Sequence, residues 1–202
     1  MIAIINSGIA NVRSVQKGFE RMGFSARVIE DPLDLQREIR AVVLPGVGAF
    51  KGGIDYLHKR GFLEPLREWI EAGRPLLGIC LGFQLLCAES EEFGLHRGLH
   101  IFPGRVKRFP QGLKVPHMGW NSIRLEKRIP LLEGIPEDSY FYFVHSYYLD
   151  PPDPSIVAAT TEYGISFPSV ICRGDVYATQ FHPEKSQNLG LQILKNFGGL
   201  AR

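Results

Sequence analysis

The stretch Pro75-Leu76-Leu77-Gly78-Ile79-Cys80-Leu81-Gly82-Phe83-Gln84-Leu85-Leu86 limits the fold more than any other part of the chain. Leu76 to Ile79 is an apolar run of the kind that forms a buried strand, and Phe83 to Ala88 has the residues of a helix start. Between them, Gly78 and Gly82 flank Cys80. A strand that turns at once into a helix, with a nucleophile at the turn, is a nucleophile elbow; Gly-x-Ser-x-Gly is its serine form and Gly-x-Cys-x-Gly a cysteine form. Glycine on each side lets the backbone bend tightly and admit a close neighbour. The start of the following helix, predicted to run to about Ser90, favours thiolate over thiol. The N–H of Leu81 is left to meet an oxyanion. The plainer reading is that Cys80 packs as a small buried hydrophobe.

A second stretch, Ala178-Thr179-Gln180-Phe181-His182-Pro183-Glu184, bears on that choice. On an extended segment alternate residues share a face, so Glu184 can lie beside the imidazole of His182. A cysteine nucleophile, a histidine base and a carboxylate that orients the histidine make a catalytic triad. His117 and His145 are fallback bases, but neither has a carboxylate two residues away. Pro45-Gly46-Val47-Gly48-Ala49-Phe50 follows a buried strand, where open α/β sheets bind their ligands. Its backbone N–H groups can form an oxyanion hole or a substrate cradle; an ordinary glycine-rich turn is the simpler alternative.

The first half of the chain alternates strands and helices. Ile2 to Asn6, Ser25 to Glu30 and Ala41 to Leu44 read as strands, Ser7 to Asn11 as a loop, and Val12 to Met22 as a helix stopped by Gly23. Gly61 to Gly73 holds an amphipathic helix. Cys87 is placed on the elbow helix as packing, and Glu89, Glu91 and Glu92 as its solvated end. From Gly104 the pattern changes to short strands: Val106 to Phe109, Asn121 to Leu125, Tyr140 to Leu149, Ile156 to Thr161, Ser169 to Arg173 and Val176 to Phe181. Val115 to Asn121 reads as a loop, and Tyr140 to Tyr148 as an aromatic strand packed on both faces. Gly190 to Leu200 closes the chain as a helix. The expected fold is α/β over a single domain, 1–202: a mostly parallel open sheet flanked by helices, with antiparallel additions in the C-terminal half.

Composition excludes several functions. A net charge of +2 without a Lys/Arg cluster argues against nucleic acid. No apolar run approaches the ~20 residues that span a bilayer, and Met1 to Asn6 lacks the basic flank of a signal peptide. Three cysteines without a Cys-x-x-Cys pair argue against a disulfide framework or zinc site. A cytoplasmic location, where a thiol stays reduced, is the expectation.

Taken together, Gly78-Ile79-Cys80-Leu81-Gly82-Phe83-Gln84 and Phe181-His182-Pro183-Glu184 resemble the class I (triad) glutamine amidotransferases. Pro45 to Phe50, Val115 to Asn121, Val144-His145-Ser146-Tyr147 and His182 to Ser186 point to one branch. Its members are glutaminase subunits that serve imidazole glycerol phosphate synthases in histidine biosynthesis. The resemblance covers nearly the whole chain. It departs at Asn6-Ser7-Gly8, where Asp-Tyr-Gly is usual, and at Phe83, where Met is common.

The resemblance implies hydrolysis of glutamine through Cys80, His182 and Glu184, with oxyanion donors at Val47 and Leu81. It places substrate contacts at Gly46, Gly48, Gln84, Ser146 and Tyr147, and a partner-facing rim at Asn11, Trp120 and Lys185. No cofactor or metal is expected, since a thiol nucleophile does not need one and no His/Cys/Asp cluster has ligand spacing. The partner would be a cyclase with a (β/α)8-barrel fold, joined in a heterodimer and receiving ammonia directly. The chain ends soon after its closing helix, so a separate partner chain is expected. Gly46 leaves the Gly46-Val47 peptide free to turn, a possible switch for the oxyanion hole. The alternatives are a sister glutaminase of the pyridoxal phosphate or anthranilate type, another cysteine hydrolase of similar fold, and a non-catalytic subunit.

Overall fold

The structure is a computed structural model and describes residues 1–6, 11–35 and 38–201. The chain opens with β1 (Ile2–Ile5), α1 (Val12–Arg21), β2 (Ala26–Ile29) and β3 (Ala41–Gly46). Two helices follow, α2 (Phe50–Lys59) and α3 (Leu63–Glu71), then β4 (Leu76–Cys80) and the short α4 (Leu81–Leu85). The middle of the chain holds β5 (Cys87–Ser90), β6 (His96–Arg97), β7 (Phe102–Arg108), β8 (His117–Leu125), β9 (Ser139–His145) and β10 (Tyr147–Asp150). It closes with β11 (Val157–Glu162), β12 (Ser166–Arg173), β13 (Val176–Thr179) and α5 (Gln187–Leu200).

Among the described residues, the larger sheet runs β2-β1-β3-β4-β13-β12-β11-β8-β9. Its strands are parallel from β2 to β13 and antiparallel beyond. A smaller sheet runs β10-β7-β5-β6. This is the α/β architecture expected from the sequence, with the antiparallel strands from the C-terminal half.

Side-chain alternation divides the core into layers. Ile2, Ile4, Val43, Leu77 and Ile79 face α1 and α5, where they meet Val15, Phe19, Leu194 and Phe197. Ala3, Ile5, Val42, Leu44 and Leu76 face the other way, onto Phe50 and Leu57 of α2 and Leu66 and Trp69 of α3. With both faces covered, the parallel strands read as continuous apolar runs. The helices α1 and α5 pack closely because Gly18 has no side chain; a Cβ there would lie 2.5 Å from Leu194 Cδ1. Gly23, at φ +85°, ends α1 as expected.

Several sequence expectations are corrected. The elbow helix stops at Leu85, and Cys87 and Glu89 lie on β5. The carbonyls of Leu85, Leu86 and Cys87 accept from Leu99, from Ile101 and Phe102, and from His100. They are therefore taken by tertiary pairing and cannot continue a helix. Cys87 is fully buried and packs as expected, its thiol pKa pushed far up by burial. Glu89 and Glu92 are not a solvated helix end: Glu89 pairs with Arg105 at 2.6 Å, and Glu92 accepts from the N–H of Phe50 at 2.5 Å.

The expected loop at Val115 to Asn121 becomes strand from His117 onward. Tyr140 to Leu149 is not one strand. It breaks at Ser146, with β9 pairing with β8 in the large sheet and β10 with β7 in the small one. Nor is β9 packed on both faces: Ser139, Phe141, Phe143 and His145 are buried, while Tyr140 is exposed. The helix α2 was not anticipated. Of the expected loop Ser7 to Asn11, residues 7–10 lie outside the described residues, and Asn11 is the N-cap of α1.

Candidate active site

Three adjacent parallel strands, β3, β4 and β13, end side by side. Gly46 pairs with Cys80 across β3 and β4, and Thr179 with Ile79 across β4 and β13. Their carboxyl ends thus deliver Gly46-Val47, Cys80-Leu81 and the segment leading to His182 to one place, the position where α/β sheets bind ligands. Cys80 sits at φ 54°, ψ −104°, outside the favoured regions for an L-residue. The fold forces this turn by crowding: a Cβ on Gly82 would lie 1.7 Å from Leu44 O, and one on Gly78 would lie 2.9 Å from Gly82 C. Leu81 is the first residue of α4, so its N–H has no acceptor within the helix. With only one turn of helix behind it, macrodipole support for a thiolate is smaller than the sequence suggested.

His182 is held by its backbone. Its N–H donates to Tyr142 O of β9 at 2.9 Å. Its carbonyl accepts from Ser186 Oγ at 2.6 Å, and that oxygen accepts from Tyr142 N at 2.9 Å. Phe181 stacks on Phe141 with centroids 4.2 Å apart. The His182 Nδ1 lies 2.8 Å from Glu184 Oε1, with both side chains 3% exposed. An ionised carboxylate can only accept, so Nδ1 carries a proton.

The two-residue spacing does not work by strand alternation. β13 ends at Thr179, and Pro183–Lys185 is a 3-10 turn that folds Glu184 back under the imidazole. Burial pulls the His182 pKa down, but Cys80 and then Glu184 push it up further, to about 10. Because Glu184 occupies Nδ1, Nε2 is the ring nitrogen left for Cys80; it is buried with no hydrogen-bond partner among the described residues.

Cys80 opens into a cavity of about 400 Å3. Of the residues expected around a substrate, Val47, Gly48, Leu81, Gln84, Ser146 and Tyr147 line it. Gly46 does not. It lines a small cleft behind the histidine with Asn11, Val47, His182, Glu184 and Lys185. A Cβ on Gly46 would also lie 2.9 Å from Leu81 Cβ, so substitution there disturbs packing as well as peptide freedom.

Sequence reasoning missed Glu92, Pro116 and Val144 as lining residues. Glu92 reaches the cavity only because the elbow helix ends early, and nothing local marks it. Gln180, fully buried with its Nε2 3.9 Å from Cys80 Sγ, was also missed. Its position two residues before His182 was the available signal.

His117 and His145 are brought together, but not as bases for Cys80. His117 Nδ1 lies 3.0 Å from His145 Nε2, and His145 Nδ1 lies 2.8 Å from Tyr147 O. Burial lowers their pKa values to about 4 and about 3, so both are neutral at pH 7. Phe109, Phe143, Tyr163 and Phe167 enclose His117. Asn11, Trp120 and Lys185 are all exposed. Asn11 caps α1 and shares the small cleft with Lys185. Lys185 Nζ and the Trp120 ring flank the Tyr142 ring at 5.9 and 6.2 Å. The three form one strip beside His182 and Glu184.

The family profile for glutamine amidotransferase class-I matches residues 3–199. Imidazole glycerol phosphate synthase subunit HisH of Syntrophotalea carbinolica is 56% identical, covering 99% of this chain and 100% of the relative. The protein of the same name from Geobacter sulfurreducens is 52% identical, over 98% and 97%. Among solved structures, a glutamine amidotransferase superposes with a TM-score of 0.78 at 20% identity, over 100% and 99% of the two chains. PurLQS from Thermotoga maritima gives 0.73 at 16%, over 99% and 96%.

Proposed function

The chain belongs to the class-I glutamine amidotransferases, and from that premise we propose that it is the glutaminase subunit of an imidazole glycerol phosphate synthase in histidine biosynthesis. Full-length similarity to two HisH subunits favours this over a pyridoxal phosphate or anthranilate type. The observation that carries the chemistry is His182 bonded to buried Glu184 and raised in pKa by Cys80, whose own side opens into a cavity of substrate size. The whole chain acts as one glutaminase domain.

Cys80 attacks the carboxamide carbon of glutamine. His182, basic enough to hold a proton at neutral pH, takes the thiol proton and returns it to the leaving ammonia. Glu184 holds the histidine tautomer and stabilises the imidazolium. A glutamyl thioester forms, and water activated by His182 hydrolyses it to glutamate. The tetrahedral oxyanions are met by the N–H groups of Leu81 and Val47; one such donor stabilises the transition state by about 3–4 kcal/mol. Gly48, Ser146, Tyr147, Gln84 and Glu92 seat the amino-acid end, with the Glu92 carboxylate available to the substrate ammonium.

The partner is a cyclase of (β/α)8-barrel fold that receives the ammonia, and the strip of Asn11, Trp120 and Lys185 faces it in a heterodimer. Glutamate release from glutamine, measured with the chain alone and with the cyclase plus its ribulosyl ligand, tests the reading. Strong stimulation by the loaded cyclase, abolished in Cys80→Ala, is expected. Release indifferent to the cyclase assigns the glutaminase to another synthase, and no release under any condition refutes the proposal.

A further inference from the structure

One carbonyl sets the polarity of a buried network behind the cavity. Tyr147 O can only accept, so the Gln84 atom 3.1 Å from it is Nε2, an N–H donor. The same nitrogen lies 3.1 Å from the side chain of Gln180, whose facing atom is therefore the oxygen, Oε1. That leaves the Gln180 Nε2 donating toward Cys80 Sγ at 3.9 Å. Both N–H groups of Gln84 are then spent, and its Oε1 is the atom left for a ligand. On the other side of the carbonyl, His145 Nδ1 at 2.8 Å must carry its proton. Since His145 is neutral, its Nε2 accepts from His117 Nδ1 at 3.0 Å. The polarity is consistent along the whole chain of bonds.

Gln180 has no other obvious duty. It is fully buried, and its backbone is already secured by an N–H donated to Ser169 O at 2.9 Å. A buried carboxamide is costly unless its groups are bonded, and here they are spent on the nucleophile and on Gln84. We propose that Gln180 is a positioning residue for the glutaminase reaction: its N–H group steadies the sulfur of Cys80 while its carbonyl locks Gln84 with Oε1 toward the cavity. This rests on the glutaminase reading and deepens it. The consequence for recognition is definite. Gln84 presents an acceptor, so it selects the α-ammonium of the substrate rather than its carboxylate. A donor aimed at sulfur favours the charged nucleophile over the thiol.

Two substitutions separate these duties. Gln180→Glu keeps an oxygen for Gln84 but replaces the donor at sulfur with negative charge. Gln180→Met has similar length and supplies neither group. Folding of each is checked by thermal unfolding. The rate of Cys80 alkylation by iodoacetamide is followed against pH on the chain alone, and kcat and KM for glutamine are measured in the cyclase complex.

Gln180→Glu is expected to slow alkylation about tenfold at pH 7 and move its pH profile upward, lowering kcat with KM within about threefold of the parent (a tenfold change being about 1.4 kcal/mol). Gln180→Met is expected to slow alkylation and also to raise KM about tenfold, because Gln84 is released. A folded variant whose alkylation profile matches the parent overturns the proposal, as does failure of both variants to fold, which would make Gln180 structural. Protection of the parent Cys80 by glutamine reports separately on the glutaminase reading. If that protection is absent, the function is wrong; if it is present and the profiles are unchanged, only the role of Gln180 is wrong.

Discussion

At the scale of single residues, chemistry and backbone strain meet at Cys80. Its φ of 54° with ψ −104° is a conformation that costs a non-glycine residue on the order of 1–3 kcal/mol. Glycine ordinarily destabilises a strand end relative to alanine, by roughly 0.5–1 kcal/mol. Here the order is expected to reverse: Cys80→Gly should unfold at a higher temperature than Cys80→Ala, by the equivalent of about 1 kcal/mol. Equal or lower stability of the glycine variant would show that the turn is unstrained. Glu184 carries a different burden, since it holds the His182 proton on Nδ1 at 2.8 Å. Glu184→Gln is expected to lower kcat in the cyclase complex by about 10^2–10^4-fold with little change in KM. A loss below tenfold would remove Glu184 from the triad. Cysteine, histidine and glutamate were legible in the sequence because each belongs to a short local motif. Glu92 and Gln180 were harder: their neighbours, Phe50 and Cys80, are remote in sequence.

At the scale of elements, the junction of β8, β9 and β10 organises the cavity wall. His117 and His145 are cross-strand partners on β8 and β9, and their buried side chains tie both strands to the start of β10 through Tyr147 O. Both pKa values are lowered from the ordinary 6.5, to about 4 and about 3. Below pH 6.5 the unfolded chain binds protons at these histidines while the folded chain does not. Stability that is complete above pH 6.5 is therefore lost as pH falls, by about 3 kcal/mol per histidine at pH 4. Urea unfolding at pH 7, 6 and 5 should show this decline before most carboxylates titrate. The double substitution His117→Gln, His145→Gln should flatten it; an unchanged slope would place the titration elsewhere. This junction was poorly legible. The aromatic run from Tyr140 to Leu149 alternates without interruption in sequence, and only the requirement that Ser146 pass between two sheets breaks it. The elbow helix likewise ended early because distant N–H groups claimed its carbonyls.

At the scale of the molecule, the proposed triad of Cys80, His182 and Glu184 lies beside the strip of Asn11, Trp120 and Lys185. Trp120 is 46% exposed and rests edge-on against Tyr142, whose carbonyl holds the His182 N–H. A half-exposed Trp beside an active site has the profile of an interface anchor. Trp120→Ala is expected to weaken cyclase binding by about 2 kcal/mol, roughly 30-fold in Kd by calorimetric titration, while the thermal stability of the isolated chain stays near that of the parent. Unaltered affinity would move the interface off this strip. By itself the sequence determined the α/β class, the two motifs and the chemistry they imply, because buried parallel strands and a cysteine elbow leave their marks in adjacent residues. The tertiary structure decided which strand ends are neighbours, where the elbow helix stops, and which buried amide faces the sulfur. Those outcomes depend on hydrogen-bond partners and close approaches between residues far apart along the chain, and no local pattern records them.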